Sequence, residues 1–370
     1  MIVIATHAYL VCGKIHEVPT STLIEVLERK KEDFILIRHS IDGKMSSFCY
    51  ICSGGKVFSE KKLWVLSKIS IFRYATELIS TCLHLAVHAR RSDLVFIGVD
   101  PLNALCGILL KKIGRTKRII FYSADYADKR FGNKILNYFY RLIDRICANY
   151  ADSVWNVSSR ILQRRKFLSD DRNLFVPNVP SDDYKKYLNN KRDKYQLITL
   201  GVIGDQLDFK GIINAFFDLK IKYPKLSLKI IGSGPKERYC QDYVKAKKLD
   251  DTIQFLGYLN HHRALDEISR SGIGLALYNG KWNFNYYGDS MKCREFFCYG
   301  LPVITTDTHS TVDEIKLSGA GVVCRMKKDD YKRAIVAILN DYNEYSKKSY
   351  GLAAKYQGIH SRLLSDLLMP

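Results

Sequence analysis

The chain has 370 residues, more than the roughly 100–200 of an average domain, so two domains are expected, each with enough chain to bury its own core. With 47% hydrophobic and 12% aromatic residues and only 8 prolines, the composition excludes a disordered or low-complexity protein. A formal charge of +20 points to anionic partners, whether nucleotide phosphates, anionic lipid surfaces or nucleic acid, and does not choose among them.

The opening MIVIATHAYLVCG is too short for a signal peptide and lacks its basic start, and no run of about 18 apolar residues occurs. The expected location is cytoplasmic, at most docked on the cytoplasmic face of a membrane. Short apolar runs at 3–10, 34–40, 93–100, 118–125 and 152–158 alternate with helical patterns and read as strands of a parallel sheet covered by helices on both faces. Between them, the stretch 63–91 is helical and rich in apolar residues, interrupted by Lys68, Arg73 and Glu77. A core helix is the plain reading there, and an interfacial helix resting on a membrane the alternative.

The polar, basic stretch 181–194 reads as an interdomain linker, after which QLITLGVIG, LSLKIIGSG, DTIQFLGYL, GIGLALY, LPVITTD and GAGVVC resume the strand pattern. The expected fold class is therefore α/β, two Rossmann-like, doubly wound parallel-sheet domains facing across a cleft. Residues 1–190 form the first, 191–349 the second, and 350–370 hold a C-terminal amphipathic helix over 350–368. Ligands of such sheets bind beyond the carboxyl ends of the strands, so both halves should contribute to one site.

The 10 cysteines lie mostly inside apolar runs, as in reduced intracellular proteins. Cys49 and Cys52 form a C-x-x-C pair, but no second pair follows at zinc-like spacing, so no metal is expected.

The most informative segment is GDSMKCREFFCYGLPVITTD (288–307). A helix with Lys292 and Glu295 at i and i+3 presents both on one face, and Gly300 and Pro302 stop it before a buried strand. Such a carboxylate can hold a ribose diol while the lysine meets phosphate; an ordinary surface ion pair is the bland alternative.

This segment resembles the donor-binding signature of the GT-B glycosyltransferases, especially family 4, the group 1 glycosyltransferases, in which a Glu lies five residues before the Gly of a G-x-P-V turn. Glu295, Gly300, Pro302 and Val303 fit that pattern. GVIGDQLDFKG (201–211) is similar to the family's glycine-rich loop, which implies that Lys210 contacts the donor diphosphate, with Gly204 and Asp205 beside it. LKIIGSGP and IQFLGYLN resemble the next two strands, whose loops pocket the base, implicating Gly232, Gly234, Gly257, Tyr258 and Leu259. VPNVP (176–180) resembles the turn before the domain linker, and the family's last helix crosses back onto the first domain.

The resemblance implies a hexosyltransferase that moves a sugar from a nucleotide-sugar donor to a glycan or lipid-linked acceptor, retaining and metal-independent, with no cofactor. Two departures stand out. Retaining relatives carry a second glutamate eight positions before Glu295, where this chain has Tyr287; Asp289, Ser290, Met291 and Lys292 are the nearby groups able to meet sugar or diphosphate. The glycine-loop arginine is replaced by Asp205, leaving Lys210 and Lys292 as the cations.

In a retaining scheme the leaving diphosphate oxygen takes the acceptor's proton, and stabilising that oxygen dominates. Asp125, at the end of a strand in the first half, is the candidate base for inversion, or else a helix N-cap for the segment from 126 onward.

Two rivals remain. An NAD enzyme should show G-x-G-x-x-G after its first strand, and HAYLVCGK does not. A noncatalytic nucleotide-sugar or polyanion-binding protein would suit the charge. Aromatic and basic residues interleave at 121–143, yet no nucleic-acid module is present. An anionic membrane accounts for the basic surface better than nucleic acid does.

Overall fold

The computed structural model describes residues 1–11, 14–17, 19–65, 70–88, 93–205, 207–280 and 284–368. Lys68, the flanking turn of its expected helix and the arginines at 90–91 lie outside them. The chain forms two compact units, Met1–Asn178 with Gly358–Pro370, and Val179–Gln357.

In the first unit β1 (Ile2–Val11) is the topological switch. It pairs in parallel with β3 (Phe34–Ser40) on one side and β6 (Leu94–Val99) on the other, while β2 (Lys14–His16) lies antiparallel along its end. Beyond β6 the sheet continues through β7 (Thr116–Ser123), β8 (Ser153–Asn156) and β9 (Asn173–Phe175), all parallel. Beyond β3 it is extended by an antiparallel pair, β4 (Phe48–Ser53) and β5 (Lys56–Lys62), that the sequence reading had not anticipated. The central strand β6 is buried throughout, as the β-branched and aromatic run LVFIGV requires, whereas the edge strand β5 is exposed along its length.

The helices of this unit are α1 (Thr20–Arg29), α2 (Ser70–His88), α3 (Pro101–Lys112), α4 (Lys134–Tyr150) and α5 (Ser159–Arg164). Helix α3 begins with Asp100 as cap and Pro101 at the first helical position, where a missing N–H costs nothing. It packs between α2 and α4, closing two apolar clusters against the sheet. Helix α2 is neither a pure core helix nor a free one. Arg73, Glu77, Thr81 and Leu85 are buried on its inner side, and Phe72, Ile79, Leu83 and Val87 are exposed on its outer side.

The second unit contains a six-stranded, all-parallel sheet, in the order β12 (Ile253–Gly257), β11 (Ser227–Ile231), β10 (Asp193–Leu200), β13 (Ser271–Ala276), β14 (Val303–Thr306), β15 (Gly321–Cys324). This 3-2-1-4-5-6 order is the doubly wound arrangement, with its switch point between β10 and β13. Helices α6 (Phe209–Lys220), α7 (Glu237–Ala246), α8 (His261–Arg270), α9 (Phe284–Tyr287), α10 (Met291–Cys298), α11 (Thr311–Ser318), α12 (Lys328–Asn340) and α13 (Tyr342–Tyr356) cover it. One apolar cluster joins Leu197, Phe216, Leu228, Ile273 and Ile338.

Two boundaries differ from the sequence reading. The stretch 181–194 is part of the second unit: Asp182–Tyr187 form a 3-10 turn, and Asn190 donates to Asp266 at 2.9 Å and to Ser269 at 2.7 Å on α8. The expected helix 350–368 is broken at 357–358. Its first part belongs to α13 in the second unit, and α14 (Ile359–Leu368) belongs to the first, where His360 Nε2 lies 3.0 Å from the Tyr122 hydroxyl and Lys30 donates to Ser365 at 2.6 Å.

Candidate functional site

At the carboxyl edge of the second sheet three loops interlock through their backbones. Gly201 donates to Ile231 O at 2.9 Å, Ile203 to Ser233 O at 3.0 Å, and Gly232 to Gly257 O at 2.7 Å. Gly201 has φ +136 and Gly232 has φ +123, and a β-carbon at Gly232 would collide with the carbonyl oxygen of Gly201. Only glycine adopts these conformations and allows the loops so close together. Gly204 is buried in the same turn, and a β-carbon on Gly234 would stand 2.5 Å from Ile203 O. Gly257 ends β12; Tyr258 beyond it is 53% exposed and Leu259 half-buried.

Across the switch point the loop after β10 is tied to the loop after β13. Leu207 bridges Tyr278, and the Asn279 amide donates to the carbonyl of Asp205. The Asp205 carboxylate pairs with Lys236, at the start of α7, which the sequence reading had not singled out. Its signal was present, since Lys236 directly follows the GSGP turn.

The first turn of helix α10 brings Lys292 against the Gly201 loop. Ser290 caps this helix, accepting from Cys293 N at 3.4 Å while donating its own N–H to Thr311 Oγ1 at 2.8 Å. That leaves the Met291 and Lys292 N–H groups without a partner among the described residues, the arrangement of a helix N-terminus ready for an anion. A β-carbon on Gly201 would stand 2.6 Å from Lys292 Nζ, and this ammonium is also 4.9 Å from the Tyr278 ring centroid.

Lys210, the other expected cation, lies on α6. It is the second residue of that helix, exposed, with its ammonium 5.4 Å from the ring centroid of Tyr243 on α7. The cation that the fold sets against Gly201 is Lys292. Glu295, one turn on, has its pKa raised to about 7, because burial disfavours the carboxylate and Lys292 only partly offsets that.

Asp289 was expected to meet sugar or diphosphate, and the structure assigns its carboxylate to the protein instead. Arg294 grips it at 2.9 Å, Thr311 donates to it at 2.8 Å, and Arg294 also pairs with Glu314. The side chain of Asp289 is 1% exposed, so it anchors the start of α10 rather than reaching into solvent. Tyr287, at the position of the missing glutamate, is buried with its ring 5.0 Å from that of Tyr286.

In the first unit Asp125 follows β7 and pairs with Arg130 at 3.0 Å; burial raises its pKa, partly opposed by Arg130. It caps no helix, because α4 starts at Lys134 with Asn133 as its cap. The sequence reading missed a second cluster at the carboxyl ends of β1 and β6. His7 Nδ1 is 2.5 Å from Asp100, its Nε2 is 3.2 Å from Glu77, and Asn103 donates to Asp100 at 3.0 Å. Burial opposes the imidazolium, but the carboxylates of Asp100 and Glu77 outweigh it and lift the His7 pKa to about 9. Asp100 has φ +80, a strained conformation for a residue with a side chain, while it caps α3 through Leu102 N at 2.9 Å.

Residues 180–352 match the family described as glycosyl transferases group 1. Among curated proteins none matches the sequence. Three similar solved structures are the lipopolysaccharide outer core galactosyltransferase WaaB, the lipopolysaccharide glycosyltransferase WaaG and Anabaena HepE in complex with UDP. WaaB is 15% identical with a TM-score of 0.66, covering 100% of this chain and 99% of its own. WaaG is 11% identical with a TM-score of 0.65 over 100% of both chains. HepE is 11% identical with a TM-score of 0.64 over 98% of this chain and 99% of its own. At such identities these likenesses speak to the fold, which is GT-B. Residues 180–352 therefore form a group 1 glycosyltransferase domain, in a chain with the GT-B fold.

Proposed function

We propose that the chain transfers a hexosyl group from a nucleoside diphosphate sugar to a glycan or lipid-linked acceptor, with retention and without a metal ion or other cofactor. The observation that carries this reading is the Lys292 ammonium set against Gly201, on a helix whose first N–H groups have no partner among the described residues, beside the close-packed Gly201 and Gly232 loops. Together they offer positive charge and close backbone approach to a diphosphate. Glu295 on the same helix face would accept from the ribose hydroxyls.

As the glycosidic bond to the diphosphate breaks, negative charge grows on the leaving oxygen, and preorganised donors stabilise it without reorganisation. That oxygen then takes the proton of the acceptor hydroxyl attacking the same face, so no protein base is required. The UDP bound to HepE supports a uridine nucleotide as the first donor to test. The charge of +20 supports an acceptor presented at an anionic membrane, on its cytoplasmic face, in preference to nucleic acid.

The test is binding and slow hydrolysis of a panel of UDP-, GDP- and other nucleotide sugars by wild type and by Lys292→Ala, Glu295→Ala and Lys210→Ala. One donor should bind saturably, weakened by at least tenfold in the first two variants. Wild-type affinity in both would overturn this placement of the donor.

A further inference from the structure

Helix α4 has an outward face that the fold does not use. Ile135, Tyr138, Phe139 and Leu142 are 65%, 58%, 51% and 40% exposed, and the adjacent pair Tyr138 and Phe139 lies three to four residues from both Ile135 and Leu142, so all four share one side of the helix. Isolated exposed apolar residues are ordinary; four in a stripe on one helix are not.

Beside that stripe runs a second one of Lys134, Arg141 and Arg145, all exposed. None of these cations meets a carboxylate among the described residues: Arg141 donates to the Asp128 carbonyl at 2.9 Å, and Arg145 lies 5.8 Å from the Phe167 ring centroid. The one acidic residue of α4, Asp144, is buried and bound to Arg165 at 2.5 Å. The outer side of α4 therefore offers aromatic and aliphatic groups flanked by uncompensated positive charge. On the far side of α3, α2 continues the apolar character with Phe72, Ile79, Leu83 and Val87 exposed and uncharged.

We propose that the outward face of α4 is the surface by which the protein lies on an anionic lipid bilayer, with the apolar stripe entering the headgroup boundary and the cations meeting lipid phosphate. The proposal rests on the membrane part of the function proposed above and names its contact. No described helix is long and apolar enough to cross a membrane, and α4 has the make-up of a helix that lies in its plane. A flat bilayer accepts a convex apolar stripe without a matching groove, and the net positive charge matches anionic lipid. A neutral protein partner would leave the three cations unpaired.

The experiment is co-sedimentation of the full chain with vesicles of phosphatidylglycerol and phosphatidylcholine, or of phosphatidylcholine alone, at low and high salt. The variants are Tyr138→Ser/Phe139→Ser, Lys134→Gln/Arg141→Gln and, as a charge-matched control in the second unit, Lys222→Gln/Lys225→Gln. Circular dichroism and gel filtration check folding and oligomeric state. Wild type and the control should bind anionic vesicles in a salt-sensitive way, and each α4 variant should bind on the order of tenfold more weakly while staying folded.

Equal binding by the α4 variants and wild type would overturn the proposal and leave the membrane reading intact. Wild type that binds no vesicle at low salt would overturn both. A dimer that becomes monomeric only in the α4 variants would assign this face to a second copy of the chain instead.

Discussion

Lys292 and Gly201 meet at the carboxyl edge of the second sheet: a β-carbon on Gly201 would stand 2.6 Å from the ammonium nitrogen, so the lysine fills the room that the absent side chain leaves. The glycine and the cation are one device, and they are tested together.

Gly201→Ala is expected to push Lys292 aside and to strain a backbone at φ +136. Stability should fall by about 1–3 kcal/mol, and donor affinity by about tenfold or more. Calorimetric titration of the preferred donor and thermal melts measure the two effects. In the double variant with Lys292→Ala the affinity losses should not add; full additivity would show that the two residues act separately.

The Asp289–Arg294–Glu314 cluster is buried, and removal of one member leaves a charge uncompensated. Asp289→Ala should cost about 3–5 kcal/mol in urea unfolding and weaken donor binding through loss of the α10 start. Loss of donor binding at unchanged stability would instead make Asp289 a donor ligand.

Glu295 binds its proton more tightly in the folded protein, with its pKa raised from 4.5 to about 7. Its contribution is therefore fully present below pH 4.5 and is lost as pH rises through 7. Relative to Glu295→Gln, the wild type should lose at most about 3 kcal/mol of unfolding free energy over that window. Parallel pH profiles for the two proteins would refute the burial of this carboxylate.

His7 also has a raised pKa, moved from 6.5 to about 9. Its stabilisation is complete below pH 6.5 and disappears as pH approaches 9, so unfolding free energy should decline across that range and decline less in His7→Gln. The difference should be about 3 kcal/mol at most. NMR titration of the His7 ring reports the same pKa directly.

Much of this architecture was legible because it is local. Strands β10 to β15 are short apolar runs ending in Gly or polar turns, and the capped start of α10 at Ser290 is written in adjacent residues. The β4–β5 pair was not legible, since KVFSEKK is exposed along its whole length and carries no alternation of buried and exposed positions. The stretch 181–194 looked like a linker because its composition is polar, yet Asn190 holds it to α8 through residues some eighty positions away.

The same division runs through the candidate site. Sequence alone determined the α/β class, the parallel order of alternating elements and the segment around Glu295 that marks the family, because propensity, caps and glycine turns act between neighbours in the chain. Tertiary structure alone decided that Lys292 rather than Lys210 stands against Gly201, that Asp289 is bound to Arg294 within the protein, and that His7 lies between Asp100 and Glu77. Those partners are brought together by packing, and whether a charge is free or already neutralised depends on which distant side chain the fold lays beside it.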